Sequence, residues 1–350
     1  MALFPSCKEQ ENRGISLAKC EFVTEFPASS ELTELDDKRF DEIGVRSIKV
    51  VDTLIILSMD DSWAVYGESG KNYGHCLSIG QGPGEFSPFC MPRSSASGYR
   101  VYGDSLYAFL SANPEREIRR INLTRFVEDS IVDVRTQIKT DVLSTTMWQI
   151  SPCDSSTFIM AMPEGNYTSF SRKIYRDGQV SEIPGTESLS SARVKGEEAI
   201  NVLCKVQCYE PTCDMVVEAM GELNQLNIYS PAGERAKTVC VGKMLDDPAE
   251  VEALPMSDRV MTYNNGCTFK EGFGAIYIGK SDREARDATD RSSDLQFFDW
   301  DGKPVFRTQL PYKLYDMDID FRNSRLYVID SENDCIRTYD ATPIIKAYKK

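Results

Sequence analysis

The chain carries one imidazole, His75, among its 350 residues. A single histidine cannot build a multi-histidine metal site, and it leaves one candidate imidazole base. His75 falls in the outer strand of a β-unit, so an exposed edge position is expected for it. Carboxylates dominate instead, with 54 Asp and Glu against 40 Lys and Arg and a formal net charge of −14. That balance opposes nucleic-acid binding, which needs a basic footprint. Asp316, Asp318 and Asp320 alternate and begin like a calcium loop. The glycine and the distal glutamate of such a loop are absent, because Phe321 and Tyr327 stand in their places. Alternation with Met317, Ile319 and Phe321 puts the three acids on one strand face. On a face turned to a central channel they are the weak candidates for holding a metal. No cofactor is required, and calcium there is the one ion considered.

Other motifs give less chemistry than they first suggest. Gly80-Gln81-Gly82-Pro83-Gly84-Glu85-Phe86 is glycine-rich but lacks a P-loop lysine and precedes a strand, so a tight connection anchored by Phe86 is expected. The 11 cysteines include no CxxC pair, and Cys204, Cys208 and Cys213 lack zinc-site spacing. Cys204 and Cys208 share a strand face and read as small buried hydrophobes, while the disulfide state stays open. Ser6 just before Cys7 and Lys8-Glu9 just after it look like the end of a bacterial lipoprotein signal. Phe4 and Pro5 depart from the usual lipobox, and the stretch before Cys7 is shorter than a signal-peptide core. Cys7 is the candidate lipid anchor. No run approaches the ~18 apolar residues of a membrane helix.

These residues need a scaffold, and a repeat supplies it. Apolar runs begin at Leu54, Leu106, Phe158, Met215, Ile276 and Leu326, spaced 52, 52, 57, 61 and 50 residues apart. Runs that are continuously apolar suit strands covered on both faces. Tight-turn residues precede most of them, as in Val51-Asp52-Thr53, Gly103-Asp104-Ser105 and Arg322-Asn323-Ser324. Further turns at Asp177-Gly178, Ala232-Gly233 and Asp301-Gly302 separate third from fourth strands. The spacing and the turns predict an all-β, six-bladed β-propeller of four-stranded antiparallel blades. The last unit ends after its third strand, Cys335–Tyr339, while Ile15–Phe26 reads as an unassigned strand. The ring is therefore expected to close with Ile15–Phe26 as the outer strand of blade six. Residues 1–13 read as a tail, 14–342 as the propeller and 343–350 as a second tail. A helix is expected from Asp246-Asp247-Pro248 to about Leu254, and Ser281–Ser293 reads as a solvated loop.

The segment Leu314–Asp340, LYDMDIDFRNSRLYVIDSENDCIRTYD, resembles a blade of the NHL and TolB-like propellers. Gly80–Phe86 resembles their inter-blade connection. With Cys7, the whole is similar to the TolB-like six-bladed propeller lipoproteins of Bacteroidetes-type bacteria. That resemblance implies the fold and an exported, periplasmic or outer-membrane location; it brings no assigned activity. In such rings the loops after second strands and between blades share one face. Here that face collects Asp60, Asp61, Trp63, Arg93, Asn113, Glu115, Glu164, Asn166, Tyr167, Asp282, Glu332 and Asn333. Loops on a rigid scaffold commonly carry function. The reading is a non-catalytic binding or scaffolding propeller using this face and the central pocket, with a carbohydrate, a cation or a basic protein surface as its partner. The alternative is a calcium-assisted hydrolase or lactonase working in the channel. A sialidase-like glycosidase is disfavoured by the absence of repeated S-x-D-x-G-x-T-W turns.

Overall fold

The turn residues bend the chain where their chemistry allows it. Asp52 and Ser324 each adopt φ of 51° at the first hairpins of their units. Asp177 and Gly178, at 51° and 81°, make the kind of turn that matches strand twist. The computed structural model describes residues 20–27, 30–36, 39–78, 97–112, 116–143, 149–164, 169–189, 201–242 and 248–349.

Two N-terminal strands, β1 (Cys20–Val23) and β2 (Glu34–Leu35), come first. Blade one is β3 (Ser47–Val51), β4 (Leu54–Ser58), β5 (Ser62–Gly67) and β6 (Asn72–Ser78). Blade two is β7 (Ser97–Tyr102), β8 (Ser105–Ala112), β9 (Glu117–Asn122) and, after helix α1 (Leu123–Asp129), β10 (Val134–Lys139). Blade three is β11 (Gln149–Pro152), β12 (Phe158–Glu164), β13 (Ser169–Arg176) and β14 (Gln179–Glu182). Blade four is β15 (Lys205–Glu210), β16 (Met215–Met220), β17 (Gln225–Tyr229) and β18 (Ala236–Val241). Helix α2 (Pro248–Ala253) follows, as expected. Blade five is β19 (Val260–Phe269), β20 (Gly272–Ser281), β21 (Ser293–Asp299) and β22 (Pro304–Leu310). Blade six holds β23 (Leu314–Asp320), β24 (Arg325–Asp330) and β25 (Cys335–Asp340). The first strand of each blade lines the axis. Strands β4 and β16 are buried along their whole length, because neighbouring blades cover both faces.

The ring closes as an N-terminal strand joins blade six, but through a different segment from the one expected. Glu34 and Leu35 pair antiparallel with Tyr339 and Thr338. Arg337 reinforces this edge, 2.9 Å from Glu34 and 2.9 Å from Asp330. Of Ile15–Phe26, the strand Cys20–Val23 instead runs parallel to β18 as a fifth strand of blade four. Residues 15–19 lie outside the described residues. Alternation marks a segment as a strand without choosing its partner, and two blade edges were open to it. Leu32 packs into the core shared by blades five and six, which brings Glu34 to the blade-six edge. Between the two strands, Phe26 meets Phe298 edge-on at 5.6 Å, with Arg307 over its ring. The N-terminal arm is thus a strap around blade five, tied to blade four at one end and blade six at the other.

Two further expectations change. The C-terminal residues are not a loose tail: helix α4 (Thr342–Ala347) buries Ile344, and the Tyr348 hydroxyl donates to the Phe298 carbonyl at 2.9 Å. The solvated loop contains helix α3 (Asp282–Asp287), started by a reciprocal cap in which Ser281 and Glu284 each bond the other's backbone N–H. A chain beginning at Asp36 loses both strap strands and bares the outer edges of blades four and six. Its melting temperature should fall by about 5 °C or more, the scale expected when a few kcal/mol are lost. An unchanged melting curve would show that the strap does not hold the ring.

Candidate axial ligand site

The innermost strand of each blade turns one row of backbone groups toward the axis, where no further strand can pair with them. Side chains of neighbouring blades take several of these groups. Arg100 Nε donates to the Cys153 carbonyl at 3.2 Å, and the Gln149 amide donates to the Lys205 carbonyl. Thr268 Oγ1 donates to the Tyr209 carbonyl at 3.3 Å, and Asn264 Nδ2 to the Tyr315 carbonyl at 3.0 Å. Between blades six and one the roles reverse. The amides of Ile48 and Val50 on β3 donate to Asp316 Oδ2 at 3.0 Å and Asp318 Oδ2 at 2.8 Å.

This places the alternating acids. Asp316 is fully buried and Asp318 nearly so; their Oδ1 atoms accept the amides of Met317 and Ile319 at 2.9 Å. Asp320 is separate, capping the β23–β24 turn through the amides of Arg322 and Asn323 and the Asn323 side chain. Lys49, between Ile48 and Val50, sends its ammonium to the Gly266 carbonyl at 3.3 Å. Burial pulls that ammonium's pKa down, but the charges of Asp316 and Asp318 outweigh it and hold it above the ordinary lysine value. Burial also raises Asp316, to about 6 despite the opposing pull of Lys49 and the backbone amides, and raises Asp318 likewise. A cation does stand in the field of these acids, and it is the chain's own lysine. Nearby, burial raises the Cys208 thiol to about 11 and the Cys267 thiol well above its usual value, so both stay protonated. Among the described residues, no three acidic, thiol or imidazole groups converge as a ligand set.

The inner strands enclose a cavity of ≈ 290 Å³ whose lining draws on all six blades. Its polar and aromatic groups include Tyr99, Arg100, Gln207, Tyr209, Asn265 and Asp318. Gly98 forms part of the wall: a Cβ there would lie 2.2 Å from the Pro152 ring, so only glycine lets β7 and β11 approach so closely. Asp52 and Pro211, residues of the first hairpins, also line the cavity. It therefore reaches the side of the ring opposite to the loop face singled out from the sequence. The Gln207 amide nitrogen donates to Ser151 Oγ at 3.3 Å, while its buried carbonyl oxygen has no hydrogen-bond partner.

Among the described residues, the loop-face groups make separate local contacts. Asp60 pairs with Arg46 at 3.2 Å, Asp61 accepts from Ser62, and Glu332 pairs with Arg291 at 3.3 Å. Asn333 donates to Asp330 at 2.7 Å, completing a turn like that of Asp320 and Asn323. Trp63 corrects the sequence reading: it is fully buried, 5.8 Å from the Tyr99 ring, because the second residue of β5 points between blades one and two. Glu164 ends β12. Arg93, Asn113, Glu115, Asn166, Tyr167, Cys7 and the Gly80–Phe86 connection lie outside the described residues. His75 is an exposed edge residue, 3.2 Å from Glu42. Asp282 borders a second cavity, ≈ 340 Å³ between blades four and five, with Glu222, Arg259, Met256 and Met261.

Sequence reading missed a buried charge cluster between blades three and four. Arg172 Nη2 and Lys205 Nζ each lie 2.6 Å from Glu218, and the Tyr229 hydroxyl donates to the same carboxylate at 3.2 Å. Two cations share one anion here. Burial and the neighbouring Arg172 lower the Lys205 pKa to about 8 against the pull of Glu218. The two cations overcome the burial of Glu218 and hold its carboxyl down at about 2. The sequence signal was a glutamate inside the apolar run Met215–Met220.

Lys49→Met should leave two buried carboxylates without their cation and cost about 3–5 kcal/mol at pH 8. A carboxyl raised in the folded state stabilises the fold at low pH and loses that contribution as pH climbs through the folded value. Without Lys49 the acids should rise further and take up protons, so urea unfolding should show a smaller deficit at pH 5. Equal deficits at pH 5 and pH 8 would disprove the pairing. At the second cluster, Glu218→Gln strands two cations and should cost about 3–5 kcal/mol. Lys205→Met leaves a one-to-one pair and should cost less than half as much; a larger loss from Lys205→Met would reverse the assignment.

No protein-family model matches this chain, and no curated protein sequence does. Solved structures match it at the level of fold. A Bacteroides fragilis protein named for an expected export is 9% identical with a TM-score of 0.53, over 92% of this chain and 98% of that one. A member of the DUF4221 family from Bacteroides vulgatus is 11% identical with a TM-score of 0.54, over 90% and 97% of the two chains. At such identities the likeness is one of architecture, and the architecture they share with this chain is the six-bladed propeller.

Proposed function

We propose that this protein is a non-catalytic binding propeller of the bacterial cell envelope, and that its seat is the axial cavity. The ligand class that suits the lining is a small, neutral, polyhydroxylated molecule the size of one or two sugar rings. Tyrosine rings offer faces for apolar sugar surfaces, while amide, carboxylate and guanidinium groups offer acceptors and donors for hydroxyls. The observation that carries this reading is Gln207, whose unpartnered carbonyl oxygen belongs to a side chain that lines the cavity. A buried acceptor left unmade costs about 1–3 kcal/mol, and a ligand hydroxyl would supply the missing donor. The nearby thiols are held protonated and His75 lies at the outer edge, so among the described residues the axis offers no activated thiol–imidazole pair. The structural neighbour named for export and the signal-like context of Cys7 support an exported protein, with lipid attachment at Cys7 as the anchor.

Calorimetric titration with a panel of neutral mono- and disaccharides tests the seat. At least one sugar should bind, and Gln207→Met should weaken it about tenfold, as expected for one hydrogen bond worth ~1.4 kcal/mol. The variant removes an unpaired acceptor together with the amide's single bond to Ser151 Oγ, so the unliganded melting temperature should fall only slightly. Absence of binding across the panel, or equal affinity in Gln207→Met, would overturn the assignment.

A further inference from the structure

Strands β1 and β18 run parallel, with Cys20 opposite Thr238 and Phe22 opposite Cys240. Alternate residues share a face, so Cys20 and Cys240 lie on the same side of blade four's outer edge. Both are free thiols; Cys240 is buried and Cys20 half-buried above it. The Cys240 thiol is raised by burial first and then by the neighbouring Cys20 side chain. Diagonal neighbours on adjacent strands lie about 7–8 Å apart, just beyond the ~4.4–6.8 Å between the Cα atoms of a disulfide. Cys20 opens an outermost strand, where a shift of about an ångström disturbs little. Among the described residues Cys208 and Cys267 are also neighbours, but they lie beside the axis, where Cys267 is buried and Cys208 is bonded to the Gly266 carbonyl.

We propose that Cys20 and Cys240 form a disulfide that fastens the N-terminal strap to blade four. The oxidant is a small or protein disulfide. The Cys20 thiolate attacks one sulfur of that disulfide and releases the other as a thiol, giving a mixed disulfide at Cys20. The Cys240 thiolate then attacks the Cys20 sulfur and expels the second thiol. Two protons leave the protein thiols and two electrons pass to the oxidant. Because thiolates are the attacking species, ring closure quickens as pH rises. At its other end the strap is held in blade six by backbone pairing and Arg337. The cross-link therefore turns a strap held by hydrogen bonds into a covalent hoop. An oxidising compartment closes it, and a reducing one leaves the blade-four end held by its backbone pairing.

The full chain, equilibrated with oxidised and reduced glutathione, is quenched with iodoacetamide in denaturant and digested for mass spectrometry. The expected product is a linked peptide pair joining Cys20 to Cys240, absent from Cys20→Ser. Oxidation should raise the melting temperature of the native chain by several degrees and leave that of Cys20→Ser unchanged. Cys20→Ser carries this comparison because Cys240 sits in the blade interior, where a polar substitution threatens folding. Alkylation of both thiols after oxidation, or linkage of Cys20 to another cysteine, overturns the proposal.

Discussion

The structure depends on how the axial edge of each blade finds hydrogen-bond partners. A sheet can be extended outward by another strand, but at the axis six sheets converge with no room for one. The consequence is a ring of side-chain donors and acceptors reaching from blade to blade, with Arg100, Gln149, Asn264 and Thr268 donating to neighbouring carbonyls. Blades six and one, the first and last made, use the strongest version. Two buried carboxylates accept β3 amides, and one buried ammonium compensates them. An unpaired backbone amide at this seam would cost as much as a lost hydrogen bond. The same contacts set the polarity of the axial cavity, so its polar lining is a by-product of closing the ring.

Two of the buried charge clusters among the described residues carry opposite signs of excess. At the axis two acids face one lysine, and the acids are the groups displaced toward their neutral form. Between blades three and four two cations face one glutamate, and Lys205 is the group displaced toward neutrality. In both places the excess charge carries the cost, as expected when ions leave water. In each cluster the shift follows from packing.

The blade count was legible because its signals are local and repeated. An apolar run with an Asp, Asn or Gly turn before it specifies a hairpin without reference to anything distant. The strap was only half legible: Cys20–Val23 reads as a strand, yet nothing in its alternation favours β18 over β25. Glu34-Leu35 is too short to register at all, and its place is set by Leu32 and Arg337 from far along the chain. Asp316 and Asp318 were visible as an anomaly, and the channel-facing guess was right for Asp318, which lines the cavity. Their partner Lys49 was invisible, because the contact joins positions 49 and 316 across the closed ring. Trp63 misled because a loop-adjacent aromatic and a core aromatic look alike before the strand's facing is known. Glu218 carried a readable clue, a charge inside an apolar run. The capping pair Ser281 and Glu284 carried another, in a stretch whose charge density suggested solvent.

The strap also orders the events of synthesis. Glu34 is made before any blade, yet its partner Tyr339 follows 305 positions later, after the other five blades. Cys20–Val23 finds its partner strand earlier, once blade four is complete. A growing chain can therefore dock its leading segment on blade four while blades five and six are still unmade. That docking holds the leading segment close to where the final edge will form. Closing so distant a contact is slow when it must be found by diffusion of a free end. Here the search for the last pairing begins from a tethered start, and the arm that seals the finished ring first serves to keep the unfinished one from drifting open.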